Sequence, residues 1–167
     1  MCDFIESFKP FIQGNSKILI LGSMPSVKSL EEGFYYANKQ NRFFKIISKL
    51  YGKELINTED KKHALISLNL ALFDVIYKCK RKGSLDSAIT DIYPTNISDL
   101  ITSYPSIKRI ITNGSLAAKL FKQYNSSIYE NNNIEVFHLP STSAANAKYS
   151  FDNLFAIYKD LLNAKNI

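Results

Sequence analysis

Three short apolar runs stand out along the chain and predict buried β-strands. They cover residues 17–22, 107–114 and 134–140, and a weaker fourth candidate covers residues 71–76. The runs are rich in aliphatic residues, and the first three end at glycine or proline, as strands buried on both faces commonly do. The pattern therefore predicts four strands in the interior of the protein.

Helical patterns fill the stretches between these strands. Apolar side chains recur at three- and four-residue spacing in residues 41–50, 60–70, 115–124 and 152–162, and we expect these faces to pack in the core. Strands that alternate with helices indicate an α/β fold with a parallel sheet covered on both faces. The polar residues 125–133 are expected to form a surface loop.

Length and composition fit a single domain over residues 1–167. Hydrophobic residues make up 46% of the chain and charged residues 22%, which suits a globular protein with a sizeable core. No apolar run reaches the roughly 18 residues that cross a bilayer, and the first residues are acidic where a signal peptide is basic. Two cysteines, Cys2 and Cys79, are too few for a disulfide framework, so we expect a location in the reducing cytoplasm.

An excess of basic residues makes a nucleic-acid partner possible. The formal net charge is +6 and the isoelectric point is about 9.2, which suits a surface that binds a polyanion. A basic surface that only interacts with solvent explains the charge at least as well. The basic residues occur in short scattered groups, so any contact with nucleic acid would come from a folded face.

Small and hydroxyl-bearing residues follow three of the predicted strands. The three segments are 22–26, 113–114 and 139–143. Ligands of open parallel sheets bind outside the carboxyl ends of the strands, and small residues let a ligand approach the backbone closely. The segments therefore predict one binding site at one edge of the sheet.

Common cofactor and metal motifs do not occur in the sequence. Gly22 is not followed by the Gly-Lys-Ser/Thr of a phosphate-binding loop, and there is no G-x-G-x-x-G. His63 and His138 lie far apart without a zinc-type pattern, and we interpret His138 as a structural histidine. Cys79 lies in a basic stretch without a visible histidine partner, which argues against a cysteine nucleophile. We expect neither a metal nor a cofactor.

Five segments, in chain order, carry a family likeness. They are 21–26 (LGSMPS), 35–44 (YYANKQNRFF), 71–76 with 83–87 (ALFDVI and GSLDS), 111–114 (ITNG) and 139–147 (LPSTSAANA). With these segments the chain resembles the uracil-DNA glycosylase superfamily, and within it the hypoxanthine-DNA glycosylase branch. It departs from that branch at Asn38, Lys39, Phe44 and Ala144. We expect these departures to affect specificity more than fold, and the loss of proline at 144 to loosen its loop.

The resemblance implies a three-layer αβα sandwich around a four-stranded parallel sheet, acting as a monomer on DNA. Such an enzyme flips a damaged base out of the duplex and hydrolyses its N-glycosidic bond, without a metal or cofactor. The branch implies hypoxanthine as the base. Three other functions remain open: a uracil or mismatch glycosylase, a nucleic-acid-binding module without activity, and an enzyme acting on a small nucleotide or nucleoside.

The resemblance points to Asn41 as the catalytic residue. Superfamily members active on uracil usually carry Asp or Asn at the fourth position of the first motif, whereas this chain has Met24 there, which cannot accept a proton. We therefore expect weak activity on uracil. The Asn41 amide could orient a water molecule or bond the base. Alternatively, Asn41 caps the helix that follows it.

The remaining candidate site residues come from the same motifs. The base pocket is expected to contain Gly22, Ser23, Met24, Phe34, Tyr36 and Asn113. Phe34 and Tyr36 would stack on the base and Asn113 would read its edge, with core packing and a turn role as the alternatives. DNA contacts are expected from Pro25, Ser26, Ser141, Thr142, Ser143, Asn146 and Lys148, with the hydroxyls on phosphates and residues 146–149 in the duplex gap. Asp74 is expected to be structural, bonding loop amides.

Overall fold

The computed structural model describes residues 3–167, in which strands and helices alternate. The strands are β1 (Phe4–Glu6), β2 (Ile18–Gly22), β3 (Leu70–Asp74), β4 (Ile76–Lys80), β5 (Thr90–Pro94), β6 (Arg109–Asn113) and β7 (Glu135–Leu139). The α-helices are α1 (Val27–Glu32), α2 (Phe43–Tyr51), α3 (Thr58–Ser67), α4 (Ile97–Ser103), α5 (Ser115–Tyr124) and α6 (Phe151–Leu161). Short 3-10 helices lie at Asp86–Ala88, Ser126–Glu130 and Ala164–Asn166.

Four strands form the predicted parallel sheet, in the order β3-β2-β6-β7. Every residue of β2, β3 and β6 is buried. Burial on both faces explains the apolar runs of β2 and β3. The four predicted strands are confirmed, with small changes at their ends.

The chain leaves the two central strands in opposite directions. β2 connects through α1, α2 and α3 to β3 on one side, and β6 connects through α5 to β7 on the other. Since crossovers between parallel strands are right-handed, the helices of the two halves cover opposite faces of the sheet. α2 packs against α3 and α6, while α5 packs against β6 and β7. This arrangement confirms the predicted three-layer αβα fold.

Local sequence signals set the helix ends close to their predicted positions. α2 ends before Gly52, whose φ of +79° favours glycine. α3 begins earlier than predicted because Asn57 and Asp60 form a capping box. α5 has its predicted bounds, and α6 begins after the N-cap Ser150. No helix within residues 3–167 is long and apolar enough to cross a membrane.

A small antiparallel sheet, ordered β1-β4-β5, is an addition that the apolar pattern does not predict. Its strands are short and mix lysine and tyrosine with few apolar residues. β4 follows β3 after the single residue Val75. Ser23 donates a hydrogen bond to Asp86 (3.0 Å), so the loop 81–89 between β4 and β5 lies beside the end of β2. The short helices α1 and α4 are also additions.

The segment 125–133 is only partly the surface loop that its polarity predicts. Asn125 and Ile128 are buried, and Ile128 lies in a 3-10 helix. The Asn125 amide accepts a hydrogen bond from the Ile97 backbone N–H (2.9 Å) and donates to the Thr95 carbonyl (3.3 Å). This asparagine therefore holds the start of α4 against the end of α5, while the other residues of the segment except Ile128 are exposed as predicted.

Candidate active site

A cavity of about 1310 Å³ opens at the carboxyl ends of β2 and β6. The chain connections diverge between these two strands, which is the position where open parallel sheets bind ligands. Every residue of the three predicted strand-end segments lines the cavity. The loop 81–89 and the loop 140–149, which follows β7, supply further lining residues.

The cavity depends on the absence of a side chain at Gly22. A Cβ atom there would lie 2.6 Å from Asp74 Oδ1 and 3.3 Å from the Tyr36 hydroxyl. Tyr36 reaches this position from a left-handed backbone with φ of +51°, and its ring lies 4.3 Å, centroid to centroid, from that of Phe43. Glycine thus leaves space for the Asp74 carboxyl group and the Tyr36 phenol beside the end of β2.

Asp74 is a carboxyl group enclosed by the protein. Its side chain is only 3% exposed, and Oδ2 accepts a hydrogen bond from the Ser7 hydroxyl (2.7 Å) rather than from the expected loop amides. Burial raises the pKa of Asp74 to about 7, against the opposing effects of Ser7 and the Arg81 charge. The neighbouring Tyr36 hydroxyl is buried and makes no hydrogen bond of good geometry within residues 3–167. Burial raises its pKa as well, against the opposing effect of the nearby Asn113 amide.

A hydrogen-bond network connects Asn41 to the opposite wall of the cavity. Thr142 Oγ1 donates to Asn41 Oδ1 (2.8 Å) and accepts from Asn113 Nδ2 (2.9 Å). The Thr142 backbone N–H donates to Asn113 Oδ1 (2.9 Å). Asn41 Oδ1 also accepts from the Phe43 backbone N–H (2.9 Å), at the start of α2. Asn41 therefore lines the cavity and satisfies a helix terminus, and neither bond uses its amide nitrogen.

Arg42 holds the loop 140–149 through several backbone carbonyls. Its guanidinium donates to the carbonyls of Thr142 (3.2 Å), Ser143 (2.6 Å), Asn146 (3.0 Å) and Tyr149. The Arg42 backbone N–H also donates to Thr142 (3.0 Å). These bonds hold the loop although Ala144 lacks the rigidity of proline.

Comparisons with known proteins match this architecture. The family model of the uracil DNA glycosylase superfamily matches residues 9–162, which includes every strand of the parallel sheet and both cavity loops.

The chain belongs to the uracil DNA glycosylase superfamily.

Two relatives of this superfamily member come from Methanosarcina species. A hypoxanthine DNA glycosylase of Methanosarcina barkeri is 33% identical over 111 residues, covering 65% of this chain and 70% of the relative. A hypoxanthine DNA glycosylase of Methanosarcina acetivorans is 32% identical over 147 residues, covering 87% and 90%. The solution NMR structure of a candidate uracil DNA glycosylase from Methanosarcina acetivorans superposes with a TM-score of 0.77 at 30% identity, covering 95% and 99% of the chains.

Most candidate site residues of this uracil DNA glycosylase superfamily member come together at the cavity. The lining includes Gly22, Ser23, Met24, Pro25, Ser26, Tyr36, Asn41, Asn113, Ser141, Thr142, Ser143, Asn146 and Lys148. Lining alone does not assign a chemical role, so these roles remain predictions except where the contacts exclude them.

Two expected roles are wrong in this structure, and a third stays a prediction. Phe34 lies outside the cavity lining and packs in the core against Phe11, Tyr35 and Phe44, so it is not placed to stack on a base. Thr142 is fully buried, and its hydroxyl bonds asparagine side chains, which leaves no room for a phosphate. Asn113 bonds Thr142 through its amide oxygen and one amide hydrogen, and its second hydrogen and second lone pair keep the predicted base contact open.

The remaining hydroxyls serve the loops that carry them. Ser26 caps α1 by accepting from the Ser29 backbone N–H (3.1 Å). Ser141 and Ser143 accept from backbone N–H groups two residues further along their loop. Ser141 and Ser143 remain partly exposed at the cavity, which keeps their predicted contact with DNA open.

Two lysines that the sequence analysis did not assign to the site add positive charge to one wall of the cavity. Lys119 and Lys122 of α5 line the cavity together with the predicted Lys148. Lys119 and Lys122 are three residues apart and therefore lie on one face of α5, which is the signal in the sequence that could have assigned them to the site. An anionic backbone would be attracted to this wall.

His138 lines the cavity with both ring nitrogens hydrogen-bonded, which fits the structural role predicted for it. Nδ1 bonds the Thr112 hydroxyl (2.7 Å) and Nε2 bonds the Tyr129 hydroxyl (2.8 Å). Burial and the nearby Lys122 lower its pKa, which favours the neutral ring. The described part of the chain contains no group of three or more His, Cys, Asp or Glu residues that could hold a metal ion.

Proposed function

We propose that this protein is a monofunctional DNA glycosylase that removes a deaminated base, hypoxanthine foremost, by hydrolysis in base-excision repair. The observation that carries the proposal is the cavity itself, which holds the Asn41 side chain in place while Met24 occupies the strand-end position without a proton acceptor. The names of the Methanosarcina relatives support the choice of hypoxanthine. A flipped base fits a recess at the end of the sheet.

The chemistry proposed for Asn41 needs no strong base. The bond between C1′ of the sugar and N9 of the purine breaks, and its electron pair leaves with the base. A water oxygen bonds to C1′, its proton is released, and the base takes up a proton. Because the sugar is cationic when the bond breaks, a positioned water is sufficient as nucleophile, and amide donors that face the leaving base stabilise its charge. We propose that the Asn41 amide nitrogen donates a hydrogen bond to the leaving base.

Two groups beside Gly22 suit the edge of a deaminated base. Deamination replaces an amino group by a carbonyl and leaves an N–H next to it. An ionised Asp74 accepts from that N–H, and the unpartnered Tyr36 hydroxyl donates to the carbonyl. Adenine has the opposite pattern of donor and acceptor, so the pair favours hypoxanthine over the undamaged base.

A cleavage panel tests the proposal. Labelled duplexes with a single hypoxanthine, uracil, xanthine or G·T mismatch are incubated with protein and EDTA, then treated with hot alkali to break abasic sites. We expect strand breaks at hypoxanthine, few at uracil, and none without alkali. An undamaged duplex serves as the control.

Other outcomes select the alternatives. Dominant cutting at uracil or at the mismatch would move the assignment to a uracil or mismatch enzyme and contradict the interpretation of Met24. Salt-sensitive binding without cutting would identify a nucleic-acid-binding module. A monomeric state and a cytoplasmic location remain predictions, which size-exclusion chromatography and cell fractionation test.

A further inference from the structure

The loop 81–89 presents a large apolar side chain to solvent at the cavity. Leu85 is 65% exposed and belongs to the cavity lining. Exposed leucines are not unusual in themselves. This one differs because it lies next to a site with a basic wall and hydroxyl-bearing loops.

Hydrogen bonds on both sides of Leu85 fix the loop that carries it. Before it, the Arg81 guanidinium donates to the carbonyls of Gly83 (2.8 Å) and Pro25, and Ser84 Oγ accepts from the Val27 backbone N–H (2.9 Å). After it, Asp86 accepts from the Ser23 hydroxyl (3.0 Å). The loop is therefore attached to the segment that follows β2, and Leu85 is held outward at its turn.

The two loops beside the cavity are held at different strands of the parallel sheet. The loop 81–89 is attached to the end of β2, whereas the loop 140–149 follows β7 at the sheet edge. A base that leaves a duplex opens a gap on one strand and loses its stacking on both sides. Proteins that hold such distortions insert apolar side chains between base steps. A leucine on a rigid loop at the cavity has the chemistry for this task.

We propose that Leu85 is a wedge that enters the DNA duplex beside the flipped nucleotide, from a different loop than residues 146–149. This inference rests on the proposed function. Leu85 holds the distorted duplex open and makes no contact with the reacting atoms, so it is a positioning residue. It matters for a base that must be extruded from a duplex and not for a base in a single strand.

Leu85→Ala tests the wedge against a matched control, Ile56→Ala. Ile56 is 82% exposed and lies between α2 and α3, outside the cavity lining. Single-turnover cleavage is measured for hypoxanthine in a duplex and in the same sequence as a single strand. We expect L85A to slow duplex cleavage by about tenfold or more, because unstacking is no longer offset. Its single-strand rate, its melting temperature and both rates of I56A are expected to match the wild type.

A conservative variant and a second signal complete the test. Leu85→Met restores the apolar volume and is expected to recover most of the duplex rate. Fluorescence of 2-aminopurine next to the hypoxanthine reports extrusion without chemistry, and L85A is expected to reduce its rise. Equal loss on duplex and single strand, or an unchanged duplex rate, would overturn the wedge. If the wild type cleaves neither substrate, the proposed function fails, and the 2-aminopurine signal alone decides on Leu85.

Discussion

Replacing Asp74 by asparagine is expected to stabilise the protein at alkaline pH much more than at acidic pH. Asp74 is buried beside Tyr36 and Ser7, and Arg81 is the nearby cation that favours its charge. Asparagine keeps an oxygen that accepts from the Ser7 hydroxyl and carries no charge. The substitution therefore removes the cost of an ionised carboxylate in the interior and little else.

The magnitude follows from the two pKa values. Burial raises the pKa of Asp74 from 3.8 to about 7, so between these values the native protein binds a proton that the unfolded chain has released. The free energy of unfolding then falls as pH rises through this range and becomes constant above it. The difference between the two pKa values corresponds to a loss of about 4 kcal/mol in the free energy of unfolding once Asp74 is fully ionised. About 1.5 kcal/mol of it is already present near pH 5, so the advantage of D74N should grow by roughly 3 kcal/mol from about pH 5 to about pH 8.

Urea unfolding followed by circular dichroism at several pH values measures this advantage. The other titrating groups are shared by both proteins and cancel in the difference between them. A D74N advantage that stays flat between about pH 5 and about pH 8 would refute the assignment of a costly buried charge.

Further predictions concern the cavity and the loop that closes it. Asn41→Ala should lower the single-turnover rate of hypoxanthine excision by about a hundredfold with little change in duplex affinity measured by anisotropy, and a wild-type rate would remove its catalytic role. Arg42→Lys keeps the charge but cannot reach four carbonyls, so the loop should lose about 2 kcal/mol, visible as faster hydrogen exchange in residues 142–149; unchanged exchange would contradict the role of the guanidinium. Gly22→Ala places a methyl group 2.6 Å from Asp74 Oδ1 and should cost about 1–3 kcal/mol in urea unfolding, whereas Gly14→Ala, with open space around its Cβ, should not.

The parallel sheet could be predicted because its strands are buried on both faces. Continuous apolar runs such as 17–22 arise only from that burial, and glycine or proline marks their ends. β4 and β5 give no such signal, because one face of their sheet meets solvent and exposed residues such as Tyr77 and Tyr93 interrupt the pattern. Their pairing also contains register irregularities, which blur the alternation expected of half-buried strands.

The site could be predicted at the level of segments and less well at the level of single side chains. Phe34 and Tyr36 are close aromatic residues in one motif, and only the left-handed backbone at Tyr36 decides which of them faces the cavity. The raised pKa of Asp74 depends on its enclosure, which no local pattern contains. Arg42 appears in the sequence as one more basic residue, since its acceptors are backbone carbonyls of a distant loop.

The bonds of Arg42 also determine when the cavity is completed during synthesis. Arg42 and its acceptors are separated by 100 to 107 positions in the chain, so a ribosome makes the donor long before the loop it holds. The strands β2, β3 and β6, with Gly22 and Asp74, all precede β7 in the chain. A polypeptide interrupted before Tyr149 would therefore carry the residues of the cavity floor and lack part of one wall.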